Sequence, residues 1–301
     1  MTETGWSERL DSIVRWGYSD ANVVALVLTG SRARADGWAD DLSDLDVEVV
    51  AIDVGALAED DGWIHALSNV MVHLALANEP GPATRLVFYE GGDKVDFTLC
   101  GRSRLHAMTA SGRLNDLYER GYRVLLDKEG LTGGLPAAGG RPSRRLPDQV
   151  DLDAIVTEFF FEAAHIPRYL MRDELWLVKA RDWTMKKCLV TVLEWHALAK
   201  SRGGADVWHM GTHMASWVDA HTWRDLQQTY ARMDREDSWR ALLATIGLFR
   251  RIARETAVHS RLRYPDDVDA RVTEYVMTFG SRLETSGGRR PTGISKERDC
   301  R

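Results

Sequence analysis

Cysteine is scarce in this chain. Its 301 residues include three, Cys100, Cys188 and Cys300, odd in number and far apart, with no CxxC pair and no Cys/His cluster. That pattern argues against a disulfide framework, and a reducing, cytoplasmic compartment is expected. A basic excess is also missing: the formal net charge is −6. Without a basic stripe, a nucleic-acid partner is not expected. No apolar run exceeds strand length, so no membrane span is expected. Met1-Thr2-Glu3-Thr4 has neither a basic nor an apolar stretch, so no secretory leader is expected. There is no Walker P-loop, no GxSxG elbow, no GxGxxG turn, no HExxH and no internal repeat.

What is present is an ordinary globular composition, 44% hydrophobic and 28% charged, long enough for two cores. Trp6, Leu10, Ile13 and Val14 recur at helical spacing. Val23 to Leu28 is a buried-strand run, ended by Gly30-Ser31, with a short helix expected over 32–35. Asp44 to Ile52 reads as a second strand, and Trp63 to Ala77 as a helix. Arg85 to Tyr89 and Lys94 to Cys100 read as a hairpin joined by Glu90-Gly91-Gly92-Asp93, and Leu105 to Asp127 as helical. Gly and Pro then recur through 129–149, which reads as a connector. From Leu152 to about Phe279 strand signals vanish. Seven of the eleven tryptophans lie there, and Trp176, Trp183 and Trp195 are expected in the core. The expected division is 1–128, a connector at 129–149, a helical domain at 150–285 and a disordered tail at 286–301.

The chemistry concentrates in the first part. Residues two apart on a strand share a face, so Asp44 and Asp46 aim together while Leu45 and Val47 turn inward. Two carboxylates so close repel unless a cation lies between them. Magnesium suits such a pair, since it takes carboxylate oxygens and keeps positions for water and phosphates. Asp96, on a later strand, supplies a third ligand if that strand pairs nearby. Such a set fits two-metal phosphoryl displacement on a nucleoside triphosphate. Gly30 and Ser31 supply a backbone turn and a hydroxyl for phosphate, and Arg32 or Arg34 would neutralise its charge. Glu48 continues the same face and is expected in solvent.

Other patterns are weaker. His209 and His213 are four apart, but Gly211 intervenes, and loop packing is expected rather than zinc. Asp40, Asp44 and Asp46 lack the glycine of a calcium loop. Glu158, Glu162, Glu174, Asp182 and Glu194 lie in the helical part. Glu158 and Glu162, one turn apart, are the expected carboxylates for a cationic acceptor.

Leu28-Thr29-Gly30-Ser31-Arg32, Ser43-Asp44-Leu45-Asp46 and Lys94-Val95-Asp96-Phe97-Thr98-Leu99 resemble the signature of the polymerase-β-like nucleotidyltransferase superfamily. Adding Leu86-Val87-Phe88-Tyr89-Glu90, Glu158-Phe159-Phe160, Arg172-Asp173-Glu174-Leu175 and Leu193-Glu194-Trp195, the chain resembles the aminoglycoside 6-adenylyltransferase (streptomycin adenylyltransferase) family over about residues 5–278. The resemblance implies an α+β fold: a mixed β-sheet with flanking helices, then an all-α helical bundle. It implies ATP as co-substrate and two Mg2+ ions on Asp44, Asp46 and Asp96. It further implies nucleotide contacts at Gly30, Ser31 and Arg32, and a small cationic antibiotic as acceptor, bound in a cleft between domains. A monomer or weak dimer is expected. One departure stands out: where the family tends to carry Gly-Lys, Gly211 is followed by Thr212 and His213. That bears on the acceptor more than on the reaction. The alternatives are another small-molecule or protein hydroxyl as acceptor, and a non-catalytic nucleotide-binding protein on the same fold.

Overall fold

The computed structural model describes residues 3–34, 36–78, 81–142 and 144–280. The chain divides into two compact units, 1–142 and 143–301.

In the first unit, helix α1 (Glu3–Ser19) precedes strand β1 (Val23–Thr29), a single 3-10 turn (Ser31–Ala33) and β2 (Leu45–Ala51). Short helices α2 (Val54–Glu59) and α3 (Gly62–Leu67) lead to β3 (Val70–Leu76), β4 (Thr84–Tyr89) and β5 (Lys94–Gly101). Helices α4 (Ser103–Ser111) and α5 (Asp116–Glu119) precede β6 (Arg123–Asp127). The six strands form one mixed sheet in the order β3-β4-β5-β2-β1-β6, with β2 and β5 parallel and every other pair antiparallel.

Two expected helices are partly strand. Over 63–77 the helix stops at Leu67. Ser68 is extended, and the β-branched Val70 and Val72 open a strand that pairs with β4. High apolar density on both sides of an edge strand mimics helical spacing. Over 105–127, Gly112 ends α4 in the left-handed region and Asn115 caps α5. Arg123–Asp127 then pairs with β1. The reading of 129–149 as a connector also needs correcting. Asp127 accepts from the amides of Leu131 and Thr132, and Leu131 and Leu135 pack beside Tyr118. Residues 129–142 therefore belong to the first unit despite their glycines and prolines.

Alternation gives each strand two faces. Leu45, Val47 and Val49 of β2 join Val95, Phe97 and Leu99 of β5 in a core against Ile13 and Ile64. On the opposite face Ala25, Val27, Val50 and Cys100 pack under Leu105, Met108 and Tyr118. The N-terminal end of β2 on that second face carries carboxylates instead of apolar side chains.

The second unit is helical: α6 (Gln149–Met171), α7 (Leu175–Lys200), α8 (Met214–Trp217), α9 (Ala220–Gln228), α10 (Arg235–Ser260) and α11 (Asp266–Met277). Asp148 and Asp151 form a reciprocal capping box at the start of α6. Phe159 of α6 stacks on Phe249 of α10 at 3.6 Å, amid Val156, Leu189, Val192 and Ile252. Trp195 packs against this core, but Trp176 and Trp183 are exposed. Each lies two residues before a buried position of α7, Val178 and Met185, about 200° away around the helix. Among the described residues, no helix is long and apolar enough to cross a membrane. The expected disordered tail, 286–301, and Cys300 lie outside the described residues.

Candidate active site

β2 and β5 run parallel with Asp46 directly opposite Asp96, so two carboxylates meet across one strand pair. Thr29, the last residue of β1, is opposite Asp46 on the other side. Gly30 then turns the chain at φ 68°, and a Cβ there would overlap Asp46 Oδ2. The turn thus lies against the Asp46 carboxylate. The expected helix after Gly30 is only the turn Ser31–Ala33, so backbone amides, not a helix dipole, are what it offers an anion.

Asp44 lies at the rim just before β2. Lys94, at the start of β5, bridges to it: Nζ is 2.6 Å from Asp44 Oδ2 and 2.7 Å from Asp96 Oδ2. Burial and the neighbouring charges of Asp44 and Asp96 push the Asp46 carboxyl up to about 6. Burial also raises Asp96, against the pull of Lys94. Asp96 Oδ1 is buried without a hydrogen-bond partner.

Three carboxylates, one with an orphaned buried oxygen, form a donor set suited to a hard divalent cation. They are not a preformed cage: among the described residues no group of three His, Cys, Asp or Glu side chains is arranged to hold a metal. Lys94 instead takes one oxygen of Asp44 and one of Asp96.

Arg32 does not face this group. Its Nε donates to Ser43 O at 2.9 Å and its Nη2 to Asp40 O at 2.8 Å, with the guanidinium over the Trp6 ring. It pins the loop that carries Asp44 towards β2. Arg34 is close enough to lower the Asp46 carboxyl in part and pairs with Asp36 at 2.9 Å.

Glu48 is not in solvent. It is buried, accepts from Arg104 Nε at 2.9 and 3.0 Å, and accepts a hydrogen bond from the Tyr118 hydroxyl at 2.7 Å. This clamp ties α4 and α5 to β2 one residue pair beyond Asp46. Alternation from Asp46 placed Glu48 on this face; its partners, over 50 residues away in sequence, gave no local signal.

In the second unit Glu162 is buried and paired with Arg181 at 3.1 Å, while Glu158 stays exposed. Glu158 lines an open depression on the surface of α6 with Asp153, Thr157 and Phe161. Asp182 is engaged by Lys186 at 2.6 Å, and Glu194 accepts from the amide of Gly211. His213, left-handed at φ 53°, stands at the N-terminal boundary of α8.

Comparison with known proteins matches the chain to a family. The family model described as streptomycin adenylyltransferase matches residues 5–279. An aminoglycoside 6-adenylyltransferase of Bacillus subtilis (strain 168) is 23% identical over 280 residues, covering 89% of this chain and 95% of its own. A crystal structure of an aminoglycoside 6-adenyltransferase from Bacillus subtilis aligns at TM-score 0.44 and 18% identity, covering 91% of this chain and 98% of that one. A nucleotidyltransferase-like protein from Exiguobacterium sibiricum aligns at TM-score 0.25 and 12% identity, covering 97% of each chain. The chain belongs to the streptomycin adenylyltransferase family and is a nucleotidyltransferase.

Proposed function

We propose that this enzyme transfers AMP from ATP to a hydroxyl of a streptomycin-like aminoglycoside, releasing pyrophosphate and inactivating the antibiotic. The observation that carries the reading is the meeting of the Gly30 turn with Asp46 and Asp96 on paired parallel strands. Family membership supports it independently.

On this reading the triphosphate lies along the amides of Gly30 and Ser31, beside the Asp46 carboxylate that a side chain at residue 30 would displace. Asp44, Asp46 and Asp96 would hold magnesium, two ions by family expectation. Magnesium, when bound, neutralises phosphate charge and orients the α-phosphate. The acceptor oxygen attacks the α-phosphorus, the bond to the bridging oxygen breaks, and pyrophosphate leaves. Asp96, or another carboxylate nearby, would take the hydroxyl proton. Arg32 holds the 40–43 loop in place rather than meeting phosphate.

For the acceptor, Glu158 is the stronger carboxylate, since Glu162 is already neutralised by Arg181. The exposed Phe161 ring beside it offers a face to an ammonium or guanidinium group. ATP as donor argues for a cytoplasmic site of action, with which the free thiols of Cys100 and Cys188 are consistent.

The test is pyrophosphate release from magnesium-ATP across an aminoglycoside panel, streptomycin first, with mass spectrometry of the product. An adenylylated streptomycin supports the reading. Release with a different acceptor alone would overturn the streptomycin assignment, and silence across the panel would overturn aminoglycoside transfer.

A further inference from the structure

Lys94 leaves the sheet on the same face as Asp96, two residues further along β5. Its ammonium takes one oxygen from each of two carboxylates on different strands, Asp44 at 2.6 Å and Asp96 at 2.7 Å. Lys94 and both carboxylates are half-buried, so these are partly desolvated contacts rather than surface pairs. An ammonium and a hard divalent cation seek the same oxygens, and both cannot take them at once.

The neighbourhood also gives the side chain somewhere to go. Lys94 lines a cavity of about 260 Å3 together with Asp41, Ser43, Phe88 and Asp93. A long, flexible stem lets the ammonium swing from Asp44 and Asp96 towards the Asp41 side of that cavity without moving the strand, Asp93 being already paired with Arg9 at 3.3 Å.

We propose that Lys94 is a resident counter-ion, holding Asp44 and Asp96 together in the metal-free enzyme and giving them up when a divalent metal binds. Metal loading is then a cation exchange, and Lys94 is a positioning residue. The proposal rests on the reading of Asp44, Asp46 and Asp96 as metal ligands.

The test uses the full-length protein and Mn2+ alone as probe, with binding followed by electron paramagnetic resonance and calorimetry. Lys94→Met removes the competitor and should bind Mn2+ about tenfold more tightly. Lys94→Arg, which keeps the charge, should stay near wild type. In EDTA, Lys94→Met should melt below wild type because Asp44 and Asp96 then repel, and Mn2+ should raise its Tm by more than it raises that of wild type. Unchanged or weaker Mn2+ affinity in Lys94→Met would overturn the proposal. Should Lys94→Met and Lys94→Gln unfold in EDTA, recovery of the fold by Mn2+ supports exchange; failure to recover at saturating Mn2+ overturns it. Asp96→Asn separates the two readings. Retained Mn2+ binding there would overturn the ligand assignment itself. Lost binding there, with unchanged affinity in Lys94→Met, would overturn the exchange alone.

Discussion

Gly30 and Asp46 occupy space that only a glycine can share. β1 and β2 place Thr29 opposite Asp46, and the next residue turns at φ 68° directly against the carboxylate. An alanine at 30 must either strain its backbone or push Asp46 aside. Gly30→Ala should therefore cost about 1–3 kcal/mol of stability. Displacing Asp46 by a fraction of an ångström should cut nucleotidyl transfer by about a hundredfold. Chemical denaturation and pyrophosphate release check the two effects. Wild-type turnover in a folded Gly30→Ala would show that this contact does not shape the site.

Asp46 is held at a stability cost. Burial beside Asp44 and Asp96 raises its carboxyl from 3.8 to about 6, so the folded state binds the proton more tightly than the unfolded chain. That stabilisation is full below pH 3.8 and is lost as pH rises through about 6. In EDTA above pH 6, Asp46→Asn should be more stable than wild type by about 1–3 kcal/mol. The same variant should lose about a thousandfold in transfer. Denaturation in EDTA at pH 5 and pH 8 reads the first effect, and an Asn variant less stable than wild type at pH 8 would contradict the charge repulsion.

Glu48 closes a buried clamp, and breaking it on one side leaves the other partners unpaired. Glu48→Ala strands Arg104 and the Tyr118 hydroxyl beneath α4 and should cost about 3–5 kcal/mol. Glu48→Gln keeps an acceptor for Tyr118 and should cost less. Since Glu48 lies two residues beyond Asp46 on β2, transfer in the Gln variant should fall only modestly. A collapse of activity without loss of stability would instead assign Glu48 to the chemistry.

Much of this was legible locally. The β1 run, the Gly30 turn, the Asp44–Asp46 alternation and the Gly91-Gly92 hairpin each follow from neighbouring residues. The parallel pairing that sets Asp46 opposite Asp96 joins residues 50 apart, and only the shared residue types hinted at it. Lys94 was visible two residues before Asp96, but its bridge to Asp44 depends on that same pairing. β3 and β6 were misread because each is the outermost strand of the sheet, where alternation is blurred. Trp176 and Trp183 show the limit of composition: a large aromatic in a helix says nothing of which side it takes.

Glu158 and Glu162 are one turn apart on α6 and should fail in different ways. Glu162 is buried against Arg181, so Glu162→Gln removes an ion pair and should cost about 1–2 kcal/mol of stability. Glu158 is exposed beside Phe161 and has no such structural duty, so Glu158→Gln should melt like wild type. If it meets a cationic group of the acceptor, its loss should raise KM for the aminoglycoside about fivefold to tenfold with kcat nearly unchanged. On the proposed reading, in which the triphosphate meets Gly30 of the first unit, the KM for ATP should not move, because Glu158 belongs to the helical unit. Rising salt should weaken acceptor binding in wild type more than in Glu158→Gln, since an exposed ion pair is screened. Equal KM and equal salt dependence in the two proteins would remove Glu158 from the acceptor site and turn the search to other exposed carboxylates of the helical unit.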